Sequence, residues 1–200
     1  MGRKKSYDRD ALVEKAMAVF REHGFAGTSA DMLVERLGVN RYSIYAEFGS
    51  KQGLYDASLA KYDEENLGRN FGPLESKAAG IEEIRTLLEF FGAAERSPGL
   101  GLGCLFCNTA VEFGPHDPSG AGFVQQYFER ISGAFRTSLG NARAEGRIDR
   151  SVVVDREASF FTSAVLGMFV MLRAKAPTAI IEGAARAAIG HLESLRTDDH

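Results

Sequence analysis

The sequence predicts an all-α protein, and three observations lead there. Strand signals are nearly absent: Val152-Val153-Val154 is the only β-branched run of three, and between Arg150 and Asp155 it fits a connector. Apolar residues instead recur at intervals of three and four, the period of a helix with one buried face. Many of these stretches open on Asp, Ser, Thr or Asn and close on glycine, the residue types that cap helices. With 44% hydrophobic residues, 26% charged and five prolines in 200 residues, the chain has the material for a core. A chain of this size buries roughly 70% of the surface it exposes when unfolded, so neither a disulfide nor a metal is needed to hold it.

The first helix starts near Asp8 or Asp10, puts Leu12, Ala16 and Phe20 on one stripe with Val13 and Met17 beside it, and stops at Gly24, with Phe25 packed behind. Thr28 caps the second, with Asp31 in the capping-box position and Leu33 and Leu37 facing inward; Gly38 ends it. Asn40 caps a short third helix whose inner face holds Ile44 and Phe48, and Ser50 caps a fourth carrying Leu54, Tyr55, Leu59 and Tyr62. That helix runs out near Leu67-Gly68, and Asn70-Phe71-Gly72-Pro73 reads as a break. Further helices follow: about Ala78 to Arg96, then, after Ser97-Pro98-Gly99, one through Cys104 to Phe113. Gly114-Pro115-His116-Asp117-Pro118 reads as a rigid loop with Asp117 capping a long helix from about Ser119 to Glu145. Two helices close the chain, Asp155 to about Lys175 and Pro177 to Leu195, with Pro177 suited to a first turn.

No apolar run follows the basic start Met-Gly-Arg-Lys-Lys, and the most apolar stretch, Phe160 to Leu172, is too short to cross a bilayer. A cytoplasmic protein with no membrane partner is expected. No cofactor is expected either. His23, His116, His191 and His200 are scattered, and no His-Glu-x-x-His, phosphate loop or G-x-S-x-G occurs. Cys104 and Cys107 lack the βαβ context of a redox motif and the further ligands zinc requires. These absences speak against an enzyme.

The informative pattern is three short helices within residues 8–48, the second joined to the third by Leu37-Gly38-Val39-Asn40. A glycine lets the chain turn sharply between steeply crossing helices, and Val39 plugs the angle between them; this is a helix-turn-helix. Such a motif lays its second helix in the major groove of DNA. With Ile44 and Phe48 turned inward, that helix shows Arg41, Tyr42, Ser43, Tyr45 and Ala46 outward. Arg41 suits a guanine edge or a phosphate, and the hydroxyls reach bases or backbone. Thr28, Lys51 and the Arg3-Lys4-Lys5 arm are natural phosphate contacts. A glycine turn between amphipathic helices also occurs in bundles that bind nothing, so the geometry alone leaves both readings open.

Residues 20–55 resemble the amino-terminal DNA-binding domain of the TetR family of bacterial repressors. The likeness lies in Gly24-Phe25 before Thr28-Ser29, Gly38-Val39, Ile44-Tyr45 with Phe48 three further on, and Lys51 with Leu54. It implies that Thr28, Tyr45 and Lys51 hold the DNA backbone while Arg41, Tyr42 and Ser43 read bases, within a DNA-contacting set that also includes Ser29 and Asn40. Asn40 replaces the family's usual Ser or Thr, Val34 its frequent Ala, and Glu47 its frequent His. Glu47 brings a negative charge near the DNA face.

The resemblance further implies a helical carboxy-terminal domain that binds a small apolar or aromatic inducer and forms a homodimer. The expected division is residues 1–55 for DNA binding, helix four (about 51–67) as the link, and 68–200 for ligand binding and dimerisation. The latter part is rich in Phe, most of it core, and candidate lining residues are Cys104, Phe106, Cys107, Asn108, Phe113, Phe128, Phe161, Met168 and Met171. Asn108 and Glu112, four apart, are candidate polar contacts or a solvated edge. Gly103-Cys104 is similar to a family arrangement that senses oxidants or electrophiles, since a helix N-terminus stabilises a thiolate, whereas a free cysteine is more often simply buried. Ala179, Gly183, Ala184, Ala187, Ala188 and Gly190 give the last helix small faces suited to a subunit interface.

The expected function is a ligand-responsive transcription regulator, a repressor released from a palindromic operator by a small molecule. The alternatives are a regulator sensing through Cys104, and a small-molecule binding protein or enzyme without a DNA role. A net charge of -3 with a pI near 5.9 argues against nucleic acid only for the chain as a whole. Residues 1–55 hold nine Lys and Arg against seven Asp and Glu, which leaves fifteen against twenty in the remainder, so the positive charge is local to the motif.

Overall fold

The computed structural model describes residues 7–93, 100–114 and 122–197. Helices α1 (Arg9–Gly27), α2 (Ala30–Leu37), α3 (Arg41–Phe48) and α4 (Lys51–Tyr62) come first. After a π-helical turn at Asp63–Leu67 come α5 (Gly68–Glu75) and α6 (Ile81–Gly92), and after a 3-10 turn at Leu100–Leu102 come α7 (Leu105–Phe113), α8 (Phe123–Ala144), α9 (Val154–Arg173) and α10 (Thr178–Ser194). The only strand-like pairing among the described residues is an isolated bridge between Ile148 and Arg196. The all-α expectation holds. The Arg3-Lys4-Lys5 arm, the Ser97-Pro98-Gly99 break, Pro115 to Pro118 with the Asp117 cap, and His116 and His200 lie outside the described residues.

Caps set the short helices. Asp8, Ser29, Asn40 and Ser50 each accept a backbone N–H of the first turn, at 2.8–3.1 Å. Ser29 therefore caps α2, not Thr28, which sits one residue too early and is fully buried. Gly38 ends α2 in the left-handed conformation (φ 71°, ψ 25°), where a side chain is strained.

Helix α6 starts at Ile81 rather than near Ala78 and α8 at Phe123 rather than near Ser119, and three further boundaries differ in ways that bear on packing. Residues after Gly24 stay helical to Gly27, with Gly24 itself as a kink (φ 74°, ψ 176°). The break at Asn70 to Pro73 does not occur: α4, the π turn and α5 follow one another without a gap, and Pro73 lies inside α5. Phe71 and Leu74, both buried, hold α5 to the core, which outweighs the backbone hydrogen bond that proline cannot make. Pro177 is the residue before α10 rather than its first.

Helices α1–α4 pack around Phe20, Leu33, Leu37, Ile44 and Leu54 to form the head. In the body, Phe71 contacts Phe91 and Phe135, Phe91 contacts Phe169, and Phe135 stacks on Phe161, so one aromatic chain ties α5, α6, α8 and α9. Gly92 meets α10 so closely that an added Cβ would stand 2.7 Å from the Ala185 Cβ.

Candidate nucleic-acid interface and its connection to the body

Helix α3 buries Ile44 against the head and turns the opposite face outward. Tyr42 is 82% exposed and Tyr45 36%, while Arg41 is exposed and donates to the Asp31 carboxylate at 3.0 Å. Ser43 is half-buried, and its carbonyl accepts from the Tyr7 hydroxyl at 3.5 Å. The Asn40 side-chain oxygen is spent on the Ser43 N–H, and that of Ser29 on the Met32 N–H, although both residues are exposed. Arg41, Tyr42 and Tyr45 thus share one accessible surface, as the spacing predicted.

Two of the expected phosphate contacts have partners inside the chain. Thr28 is fully buried and its hydroxyl donates to the Gly24 carbonyl at 2.6 Å, so it is unavailable to a phosphate. The half-buried Lys51 donates to the carbonyls of Phe25 and Thr28, both at 2.9 Å, and lies 4.2 Å from the centre of the Phe25 ring. Lys51 thereby ties the start of α4 to the α1–α2 connection, where the Phe25 carbonyl also accepts the Thr28 N–H at 3.3 Å. Glu47, the charge that looked out of place, is paired with Arg9 at 3.5 Å and accepts from the Tyr7 hydroxyl at 3.3 Å, so it fastens the start of α1 to α3.

The head is joined to the body at the kink of α1. One Glu112 oxygen accepts from the Phe25 N–H at 2.9 Å and the other from the Ala26 N–H at 2.6 Å. The kink frees these two amides, and a carboxylate from α7 takes both. A Cβ at position 24 would lie 2.9 Å from the same carboxylate, a second reason for glycine there. Arg21 donates to the Gly103 carbonyl at 2.9 Å, and Arg173 of α9 to the carbonyls of Arg21, Glu22 and Leu102. Phe20, Phe25, Tyr55 and Phe113 interlock across α1, α4 and α7 with ring centres 4.8–5.5 Å apart along the chain of contacts. Tyr55 and Thr109 share a buried 2.6 Å hydrogen bond. Sequence reasoning named Glu112 only as a ligand contact or a solvated edge; its true partner is distant in sequence, and only the Gly24 kink hinted at free amides.

The expected ligand-lining residues do not surround one cavity. Phe106 stacks on Tyr127 at 4.8 Å, Phe161 on Phe135, and with Met168 they are fully buried, filling the space between helices. Phe113 belongs to the head–body cluster, Phe128 is 37% exposed, and Met171 packs against the core margin. Cys107 and Asn108 border a cleft of about 280 Å³ beside His23, Gly24, Val111, Glu112, Val170 and Arg173, where Asn108 donates to the Leu102 carbonyl. A larger cleft of about 450 Å³ opens instead between α5 and α6.

Cys104 is fully buried, with its sulfur 3.2 Å from the Tyr127 hydroxyl; Cys107 lies 3.4 Å from the same oxygen. Burial opposes ionisation of Cys104, but hydrogen bonds from Cys107, Tyr127 and Tyr62 bring its pKa down to about 7. Cys107 is pushed upward by its bond to Cys104 and by burial. No group of three or more His, Cys, Asp or Glu among the described residues is placed to hold a metal ion, and no helix there is long and apolar enough to cross a membrane.

Comparison with known proteins agrees with this architecture. Residues 12–58 match the family model described as bacterial regulatory proteins, tetR family, and residues 80–188 match that of the tetracyclin repressor-like C-terminal domain. The HTH-type transcriptional regulator YezE of Bacillus subtilis is 31% identical over 149 residues, 74% of this chain and 77% of that protein. The HTH-type transcriptional repressor ComR of Escherichia coli is 29% identical over 175 residues, 86% and 82% of the two chains. Among solved structures, a TetR regulator from Chloroflexus aurantiacus superposes with TM-score 0.82 at 26% identity, covering 94% of this chain and 95% of that one. A cysteine mutant of the TetR family regulator CifR, in complex with a 26-base-pair double-strand operator DNA, superposes with TM-score 0.81 at 25% identity, covering 94% and 98%. With both family models matched, in the order in which head and body follow one another, the chain belongs to the TetR family of bacterial transcription regulators.

Proposed function

We propose that the protein is a dimeric, ligand-responsive repressor that reads a palindromic operator with α3. The observation that carries this reading is the outward face of α3, where Arg41, Tyr42 and Tyr45 stand exposed on a helix anchored from behind by Ile44. Side chains exposed in this way contribute little to folding and are accessible to a partner, and the major groove admits a helix of this kind. ComR is named a repressor and CifR is seen on its operator, which supports both the sign of regulation and the DNA partner. The division follows the architecture: residues 1–55 bind DNA, helix four links, and 68–200 sense and dimerise, in the cytoplasm and without catalytic activity.

The dimer is assigned to α9 and α10. Phe160 and Val170 on α9 and Ile180 on α10 are 40–54% exposed, and Gly167, Ala179, Ala187 and Gly190 lie open beside them. An apolar, small-residue surface of this kind suits a two-fold four-helix contact, which sets two copies of α3 toward two half-sites. Ala185 and Ala188 are excluded from it, because they are buried within the subunit.

The test is a mobility shift with DNA from upstream of the protein's own gene. Salt-sensitive, sequence-selective binding that Arg41→Ala and Tyr45→Ala both weaken is expected; selective binding indifferent to both, or none, refutes the reading. The Cys104–Cys107–Tyr127 cluster supports a second reading, in which an electrophile that captures the Cys104 thiolate releases DNA. Release from wild type but not from Cys104→Ser is its signature, and equal release from both sinks it.

A further inference from the structure

The cleft between α5 and α6 has a volume of about 450 Å³, within the roughly 300–1,000 Å³ of small-molecule sites. Its deep residues are Leu74 and Leu87, both buried, and Pro73 and Phe90 form exposed apolar walls. Residues 76–80 join the two helices as a short hairpin, so Pro73 and Leu74 face Glu82 and Glu83 at the closed end, while Arg69 and Asn70 face Thr86 and Phe90 at the open end.

The polar groups of the two ends differ in what they are doing. At the closed end both carboxylates are committed: Glu83 accepts the Gly80 N–H at 2.7 Å, and Glu82 is paired with Arg85 and Arg196. At the open end the Arg69 guanidinium and the Asn70 amide make no side-chain hydrogen bond or ion pair among the described residues. The cleft therefore offers an apolar interior, one uncommitted cation and one uncommitted amide donor. We propose that it takes an amphipathic monocarboxylate, with the hydrocarbon between Leu74, Leu87 and Phe90 and the carboxylate on Arg69 and Asn70. A guanidinium is suited to a carboxylate because its parallel N–H groups match both oxygens.

The site is placed to act on the head, and this consequence rests on the ligand-responsive reading above. Helix α5 is continuous with α4 through the π turn, an insertion often found where helices serve function. Arg130 of α8 grips that segment at two points, Asp63 in the π turn and Glu75 at the end of α5. A molecule wedged between α5 and α6 presses α5 against this grip and turns α4, whose Lys51 and Tyr55 fix the end of α1.

Octanoate, octanol and octylamine, equal in chain and different in head charge, serve as probes in calorimetric titrations of the full chain. Octanoate is expected to bind roughly tenfold more tightly than octanol, and octylamine most weakly. Arg69→Gln should reduce octanoate to the level of octanol, and Thr86→Trp, which fills the cleft from an exposed position, should weaken both while leaving the melting temperature unchanged. Equal binding of octanoate and octanol, or octanoate binding indifferent to both substitutions, overturns the proposal. A DNA-release arm separates the two readings. Arg69-dependent octanoate binding with DNA still held leaves the site standing and defeats its coupling to the head; release from Thr86→Trp as readily as from wild type defeats the site and leaves the ligand-responsive reading standing.

Discussion

The outer face of α3 and the junction of α1 with α7 are built in opposite ways. On α3 the prominent groups are left open: Tyr42 projects into solvent, and among the described residues Arg41 has only the exposed carboxylate of Asp31 beside it. At the junction the polar groups are spent inside the chain, Glu112 on two amides, Lys51 on two carbonyls and Arg173 on three. The first surface is uncommitted and available to a partner; the second fixes where the head sits relative to the body. Substitutions in the two regions should therefore separate, with stability lost at the junction and recognition lost on α3.

The largest effect belongs to Tyr55→Ala, which removes a buried ring from between Phe20, Phe25 and Phe113 and should cost about 3–5 kcal/mol in chemical denaturation. Gly24→Ala forces a side chain into a positive-φ position against Glu112, and a cost of about 1–3 kcal/mol is expected in the same measurement. Glu112→Ala hands the Phe25 and Ala26 amides to water, which should cost about 0.5–1.5 kcal/mol and speed hydrogen exchange at those two amides above all others. Protection unchanged at both would mean that the carboxylate does not hold the kink.

Away from the junction, Glu157 provides a pH test. Burial raises its pKa, but hydrogen bonds from His191 and Arg156 outweigh this and hold it below the ordinary 4.5. A lowered folded-state value means that the stabilisation is present above the unfolded pKa and is lost as pH falls through the folded one. Acid titration of Glu157→Gln should accordingly show a shallower loss of stability below about pH 4.5 than wild type. The smallest effect on folding is expected from Tyr42→Ala, within about 0.5 kcal/mol of wild type.

The sequence reveals the two regions unequally. The helix-turn-helix was legible because its determinants are local: the Asn40 and Ser50 caps, the Gly38 turn and the inward Ile44 all act within a few residues of their own position. The junction was not, because Glu112 and the amides it holds are more than eighty residues apart and nothing in spacing links them. The intramolecular partners of Thr28 and Lys51 were hidden for a related reason. Residue type and helix-end position suit both to phosphate, and only the folded turn shows the Thr28 hydroxyl given to Gly24 and two of the three Lys51 donors given to Phe25 and Thr28. In the body, helical period marks a buried face but does not say whether facing Phe residues leave a gap; Phe106 and Phe161 close theirs. Pro73 signalled a break that burial of Phe71 and Leu74 overrode.

The central claim, that the open face of α3 exists for DNA, is tested most directly by titrating wild type and Tyr42→Ala against labelled DNA from upstream of the gene, with melting curves taken on the same samples. The account predicts an unchanged melting temperature together with loss of sequence-selective binding. Selective affinity equal to wild type in a protein that melts at the same temperature would contradict it.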